Sequence, residues 1–206
     1  MTVRGLAQAP LRTVPFGIIL VSYKTTPTTT VKQFWQEVLT LPYKPNSQDN
    51  PLHENQVRDL LDKYGYEYEY QPNGTQASPD FRVKLPNGKT VDIECKSSKQ
   101  TFPTYNGGLP KEGVVYIFSS KKYNETTIFF ADDVVSKKKR KQFEQLVEEL
   151  NSVLKLHQMD EEWQNDSRGF DFYIRNMYVQ TGSGKKDYFK HSERQSCEQN
   201  VLNYNW

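Results

Sequence analysis

The sequence predicts a mixed α/β fold in which a central mixed β-sheet is flanked by helices. Short runs rich in β-branched and aromatic residues follow one another between residues 66 and 131, separated by Gly, Pro and Asn. Segments with apolar residues at helical spacing precede and follow these runs. Only 35% of the 206 residues are hydrophobic, but 13 Tyr, 11 Phe and 3 Trp are available to fill a core. We therefore expect one compact domain with an aromatic-rich core.

The sequence of residues 1–65 predicts an arm followed by a helix. Residues 1–50 contain several prolines and a Thr-rich stretch, and they favour an irregular arm around one short helix near residues 31–41. The next helix has Asn50 as its predicted N-cap, Pro51 in its first turn and Gly65 as its terminator. Apolar residues at helical spacing lie between these ends.

Five strands and a long helix follow in the predicted order. The strands are expected at residues 66–70, 80–85, 90–96, 114–118 and 127–131. The helix is expected at residues 138–157, and its predicted apolar stripe consists of Phe143, Leu146, Val147, Leu150, Val153, Leu154 and His157. A last strand is predicted at 170–181, ahead of a polar tail.

Composition excludes several classes of protein. The 27 basic residues nearly balance the 25 acidic ones, which excludes a polycationic tail protein but allows a basic face. The apolar run at residues 16–23 is too short to cross a bilayer and lacks signal-peptide features, so we expect a cytoplasmic protein without membrane contact. The two cysteines, Cys95 and Cys197, are too few for a disulfide scaffold or a four-ligand zinc site.

The loop Pro86-Asn87-Gly88 predicts a hairpin with a defined register. A three-residue loop with Gly in the left-handed conformation pairs Leu85 with Lys89, so that facing residue numbers sum to 174. Apolar residues then face apolar residues on one side of the hairpin. A two-residue loop would shift the sum to 175 and split the apolar face, so we prefer the first register.

This register sets two carboxylates against each other. Asp80 faces Glu94, and Lys96 projects from the same face two residues further on. Facing carboxylates repel, and a hard divalent cation such as Mg²⁺ relieves the repulsion by binding both. Asp92 instead faces Arg82, where a cross-strand ion pair is expected.

These residues resemble the PD-(D/E)xK motif of restriction-endonuclease-like nucleases: Pro79-Asp80, thirteen intervening residues, then Glu94-Cys95-Lys96. The strings QPNGTQASPDF, ECKSSK, YNGGLP and VVYIFSS are also similar to type II restriction endonucleases. The resemblance covers about residues 50–160. It implies an αβββαβ core and Mg²⁺-dependent hydrolysis of double-stranded DNA at a short sequence, leaving 5′-phosphate and 3′-hydroxyl ends.

The resemblance also implies roles for individual residues. Asp80, Glu94 and the backbone carbonyl of Cys95 would hold Mg²⁺, and Lys96 would orient or deprotonate the attacking water. Glu54 is an auxiliary candidate near the start of its helix. On this interpretation, residues 51–160 form the nuclease core between the arm at 1–50 and a C-terminal strand and DNA-contacting tail at 161–206, all in one domain.

Loops near the predicted site supply the candidate DNA contacts. Lys and Arg reach phosphates, while Asn and Gln can read base edges. The candidates are Lys99, Gln100, Tyr105, Asn106, Lys121, Lys122, Lys185 and Lys186. A double-strand break needs two sites, so we expect a homodimer, with a monomer that nicks each strand in turn as the alternative. A separate companion DNA methyltransferase is a further partner that the resemblance implies.

Other functions remain open at the level of sequence. A DNA repair or junction-resolving nuclease of the same fold would recognise DNA shape and not a short sequence. A catalytically silent DNA-binding module is the rival from outside the enzymes, although the intact Asp80, Glu94 and Lys96 argue against it. The remaining alternative is a structural protein in which the motif is accidental.

Overall fold

A computed structural model describes residues 27–47, 49–180 and 187–206 of the chain. The helices in this part are α1 (Pro27–Val38), α2 (Leu52–Tyr64), α3 (Ala131–Val134), α4 (Lys137–Gln158), α5 (Glu161–Gln164) and α6 (Arg194–Leu202), with a 3₁₀ turn at Tyr188–Lys190. The strands are β1 (Asn46–Ser47), β2 (Asn50–Pro51), β3 (Glu67–Tyr70), β4 (Phe81–Lys84), β5 (Thr90–Ser98), β6 (Thr104–Tyr105), β7 (Val115–Ser120), β8 (Glu125–Phe130) and β9 (Tyr178–Val179).

The main sheet has five strands in the order β3-β4-β5-β7-β8. Strands β5 and β7 run parallel, and every other neighbouring pair is antiparallel. The predicted mixed α/β class with a central mixed sheet is confirmed. Two-stranded ladders join β1 to β2 and β6 to β9 outside this sheet.

The hairpin between β4 and β5 has the predicted register. Phe81 pairs with Ile93 and Val83 with Val91, as a residue-number sum of 174 requires. Gly88 closes the loop with φ of 82°, a conformation that glycine adopts without strain. The Leu85 amide donates to the Lys89 carbonyl at 2.8 Å.

Side chains from the two faces of the sheet fill two apolar clusters. On one face, α1, α2 and α6 cover Phe81, Val83, Val91, Ile93, Ile117 and Ile128. On the other face, Tyr116, Phe118 and Phe129 pack with the 3₁₀ turn. Strand β7 is buried on both faces, which explains why its sequence is apolar throughout the segment VVYIF.

The short helix predicted near residues 31–41 is α1, and it belongs to the first cluster. Trp35 is 1% exposed and stacks on Trp206 with ring centroids 5.5 Å apart. The indole of Trp206 in turn donates to the Val201 carbonyl at 3.0 Å. Aromatic packing thus joins this helix to the C-terminal end of the chain. Residues 1–26 of the predicted arm lie outside the described residues.

The two predicted long helices form, with differences at their ends and faces. Helix α2 begins at Leu52, and Asn50 lies in β2 without capping it, so the predicted N-cap is wrong. Gly65 ends α2 with φ of 70°, as predicted. Helix α4 begins after Ser136, whose hydroxyl accepts from the Lys139 amide. No residue of α4 is buried.

The strand predicted at 170–181 is wrong for most of its length. Among residues 170–180, which the structure describes, only Tyr178 and Val179 pair, with β6. The Asp171 carboxylate accepts hydrogen bonds from Gln158 and Trp163, so this part of the segment is bound to the end of α4 and to α5 and not to a strand. Within the described residues, no helix combines the length and the apolar character needed to span a bilayer.

Candidate active site

The site lies where β4 and β5 stop pairing. Their ladder ends at Phe81 and Ile93, so β5 continues towards Ser98 without a β4 backbone beside it. The Cys95 amide, which follows this end, donates to Asp80 Oδ2 at 2.6 Å. The carboxylate of Asp80 therefore takes the place of a ladder carbonyl beside β5.

Backbone contacts hold Asp80 in this position. Its carbonyl accepts from the Gln71 amide at 2.8 Å, and the preceding loop is closed by a 2.8 Å bond from Asn73 Nδ2 to the Ser78 carbonyl. Pro79, between them, is buried. The loop is thus anchored on both sides of Pro79, at Ser78 and at Asp80.

Glu94 and Lys96 project from the same face of β5. Glu94 is 7% exposed, and its Oε1 accepts from Lys96 Nζ at 2.5 Å. Its second oxygen, Oε2, is buried and has no hydrogen-bond partner among the described residues. Burying a carboxylate oxygen without a hydrogen-bond donor costs free energy. A cation bound to this oxygen would offset that cost.

The electrostatics of the site are dominated by negative charge. Burial and the neighbouring carboxylates of Glu94 and Glu54 raise the pKa of Asp80 to about 7, against the lowering effect of the Cys95 amide. Burial lowers the pKa of Lys96, but attraction to Glu94 outweighs it, and the net pKa is raised. Lys96 is therefore a cation at neutral pH, which favours orientation over deprotonation as its role.

Glu54 lies beside these residues and is 6% exposed. Its two oxygens accept from Asn46 Nδ2 and from the Tyr70 hydroxyl, each at 2.6 Å. These donors hold the carboxylate in place, and its charge is felt at Asp80. The structure thus brings the auxiliary candidate next to the predicted site, with both oxygens already hydrogen-bonded.

The donor set suits a hard cation that keeps part of its water shell. Among the described residues, no group of three or more His, Cys, Asp or Glu side chains is arranged to hold a metal ion. Mg²⁺ needs only one or two protein carboxylates, and Asp80 and Glu94 supply two. A cation bound between them would lower the raised pKa of Asp80 and would pair the buried Glu94 Oε2.

Cys95 contributes through its backbone. Its thiol is buried in the apolar cluster on the opposite face, and burial raises the pKa of that thiol. In an extended strand, the amide and the carbonyl of one residue point to the same side. Because the Cys95 amide points to Asp80, its carbonyl lies on the side that the predicted ligand role requires.

Asp92 makes the predicted ion pair and is separate from the site chemistry. Its two oxygens accept from Arg82 Nε at 2.9 Å and from Nη2 at 3.0 Å. This bidentate geometry satisfies both carboxylate oxygens. The cross-strand interpretation of Asp92 is confirmed.

A cleft of about 870 Å³ opens over the site. Its walls include Glu94, Cys95 and Lys96 from β5, and Asn106 from the loop that follows β6. Arg175 and Lys111 contribute positive charge to the walls. One acidic side chain, Glu94, and three basic side chains, Lys96, Lys111 and Arg175, thus line the same cleft.

The remaining predicted DNA contacts are divided between surface and core. Lys99, Gln100, Lys121 and Lys122 are exposed at the adjoining ends of β5 and β7. Tyr105 is only 4% exposed, and its hydroxyl donates to Gln180 at 2.5 Å, which favours a structural role. Lys185 and Lys186 lie outside the described residues.

Sequence reasoning missed Arg175, Asn46 and Tyr70. Arg175 lies in the segment interpreted as a strand, and a single arginine there carries no specific signal. Asn46 reaches the site only through the approach of β1 to α2. Tyr70 had a usable signal, because its pairing with Phe81 places it beside Asp80.

No protein-family model matches the chain, and no curated protein matches it at a significant level.

Proposed function

We propose that the chain is a Mg²⁺-dependent endonuclease that hydrolyses phosphodiester bonds of double-stranded DNA at a short sequence, as a type II restriction endonuclease does. The observation that carries the proposal is the placement of Asp80, Glu94 and Lys96 together at the end of the β4-β5 ladder, where Glu94 and Lys96 line an open cleft. A half-buried acid, Asp80, and a buried acid, Glu94, with incomplete charge compensation beside a lysine are suited to metal-assisted hydrolysis.

Asp80, Glu94 and the Cys95 carbonyl are the groups that would hold Mg²⁺. When bound, the ion would withdraw electron density from the scissile phosphate and lower the pKa of water in the site. Asp80 must lose its proton for this, and its pKa of about 7 places that loss near neutral pH. The Cys95 amide stabilises the charged form of Asp80.

Lys96 acts as a fixed positive charge beside the reacting phosphate. Its ammonium group has three donors, and one is used on Glu94. The others can hold a phosphate oxygen and orient water for in-line attack. Glu54, fixed by Tyr70 and Asn46, keeps the negative potential of the site high and so supports cation binding.

The cleft walls supply contacts to the DNA backbone. Arg175 has no hydrogen-bond or ion-pair partner among the described residues, whereas Arg82, Arg140 and Arg194 each have a carboxylate. The guanidinium of Arg175, which lines the cleft and is exposed, can take a phosphate in bidentate fashion. Lys99, Lys121 and Lys122 extend the positive surface along the neighbouring strand ends.

Incubation of the purified chain with plasmid DNA tests the proposal. In Mg²⁺ we expect discrete fragments, and sequencing of their ends should reveal one repeated short sequence with 5′-phosphates. Excess EDTA should abolish cleavage. Cuts at junctions or distortions without a common sequence would favour the repair nuclease, and binding without cleavage would favour the silent DNA-binding module.

A further inference from the structure

Helix α4 leaves an unusual apolar surface uncovered. Its 22 residues span about 33 Å, and none of them is buried. Leu146 is 47% exposed, Leu150 45% and Val153 53%. By contrast, α2 has five buried residues in a shorter helix. A helix with this apolar content usually covers a core or a partner.

Contacts to the rest of the chain lie near the two ends of α4. At the start, Arg140 donates to the Pro110 carbonyl, and the Phe143 ring lies 5.2 Å from that of Tyr178. At the end, Gln158 donates to Asp171 and to the Phe172 carbonyl. The apolar stripe between these ends is therefore held in place but is not covered by the part of the chain that the structure describes.

The spacing of the stripe suits a second helix. Phe143, Leu146, Leu150, Val153 and His157 follow one another at intervals of three and four residues, the repeat of a helix that packs against another along its length. The exposed surface continues beyond α4 with Met159, Phe170 and Phe172.

The charges along α4 favour a second copy of the chain as its partner and an antiparallel orientation of the two helices. The first turns carry a basic run of four lysines at positions 137, 138, 139 and 141, beside an Arg140 that is paired with Glu112 of its own chain, and the acidic residues Asp160, Glu161 and Glu162 follow the last turn. Two copies packed antiparallel about Leu150 would place the basic run of each beside the acidic group of the other. A parallel pair would set the two basic runs against each other, which is unfavourable.

We propose that α4 is the interface of a two-fold symmetric homodimer in which two α4 helices pack antiparallel with Leu150 at the axis. Such an interface is isologous, so Leu146 meets Leu154 of the partner copy and the same contact recurs across the axis. The inference does not rest on the proposed function, because no residue of the stripe belongs to the candidate active site.

Mass measurement by light scattering tests the association. The wild-type chain should be dimeric and dissociate on dilution, and Leu150→Glu should be monomeric with unchanged circular dichroism. Ser152→Glu adds the same charge to the opposite face of α4 and should remain dimeric. A wild-type chain that is monomeric at all concentrations overturns the proposal, also if its own residues 16–23 prove to cover the stripe. A Leu150→Glu variant that remains dimeric overturns it as well.

Oxidative cross-linking tests the direction and does not depend on the folding of Leu150→Glu. Both natural cysteines are buried, so an introduced cysteine reports on its own position. Leu150→Cys should form a covalent dimer because the two copies of residue 150 meet at the axis. Gln142→Cys should not, since antiparallel packing separates its two copies. Cross-linking at residue 142, or none at residue 150, overturns the antiparallel interface.

Discussion

Lys96 is the residue whose role is defined most sharply by its contacts. It is bound to Glu94 and remains protonated at neutral pH, so in the proposed function it supplies a fixed positive charge to the phosphate. We expect Lys96→Ala to lower the rate of DNA cleavage by about 100-fold or more. A nicking assay on supercoiled plasmid measures this loss.

Asp92→Asn is the matched control for that substitution. Asp92 projects from the same face of β5 but is paired with Arg82, so its loss should leave cleavage within a few-fold of wild type. Cleavage by Lys96→Ala at a similar level would contradict the assigned role of the lysine.

Asp80 links the site to the stability of the protein. An aspartate in an unfolded chain loses its proton near pH 4, whereas the folded site retains it until about pH 7. The folded state thus binds more protons in this interval, and the free energy of unfolding falls as pH rises through it. Asp80→Asn should remove this slope and stabilise the metal-free protein by about 1 kcal/mol at pH 8.

Thermal unfolding at pH 5 and pH 8 in EDTA measures the effect of Asp80→Asn. Adding Mg²⁺ should raise the melting temperature of the wild type but not that of the variant, because a ligand stabilises only the state that binds it. Equal pH dependence in both proteins would show that Asp80 does not have the inferred pKa.

The sequence predicts the central residues of the site but not their surroundings. Hairpin chemistry alone predicts the register of the ladder, and Asp80 and Glu94 follow directly after its last pair, Phe81 and Ile93. The bond from the Cys95 amide to Asp80 depends on where β4 ends, which the pattern does not specify. The partners of Glu54 come from separate elements and depend on tertiary packing.

At the scale of elements, the hairpin loop determines the register and therefore the site. Gly88 has a φ of 82°, and the space where a Cβ would lie is open. An alanine at this position would therefore strain the backbone but would not clash with a neighbouring atom. We expect this substitution to destabilise the protein by about 1 kcal/mol in chemical denaturation. Gly107→Ala, at a glycine outside the left-handed region with similar open space, should change stability by less than about 0.5 kcal/mol. Equal effects would argue against a conformational role for Gly88.

Predictions of elements succeeded where local chemistry is strong. Helix α2 ends at Gly65, as its terminator predicts, whereas the cap predicted at Asn50 did not form. The strand at 170–181 failed because alternating aromatic residues suggest a strand even where the chain is bound to a helix end through Asp171. Periodicity also identified the apolar stripe of α4, but it does not state what the stripe packs against.

At the scale of the whole molecule, aromatic packing joins α1 to the last residues of the chain. Trp35 contacts Trp206 and Phe34, and it is almost completely buried. Trp35→Ala should therefore reduce stability by about 3–5 kcal/mol. Trp163→Ala, in which the lost indole is half-buried and donates to Asp171, should cost far less. Denaturant unfolding of the two variants compares them, and a similar loss in both would contradict the assigned core.

The central claim is that Asp80 and Glu94 form a cation-dependent site for DNA hydrolysis. Plasmid cleavage by wild type and by Glu94→Gln, purified in parallel, tests it most directly, because the substitution removes one charge with almost no change of shape. We predict that the wild type cuts DNA in Mg²⁺ and not in EDTA, and that Glu94→Gln is folded but inactive. Cleavage by Glu94→Gln at the wild-type rate, or wild-type cleavage in excess EDTA, would contradict the account.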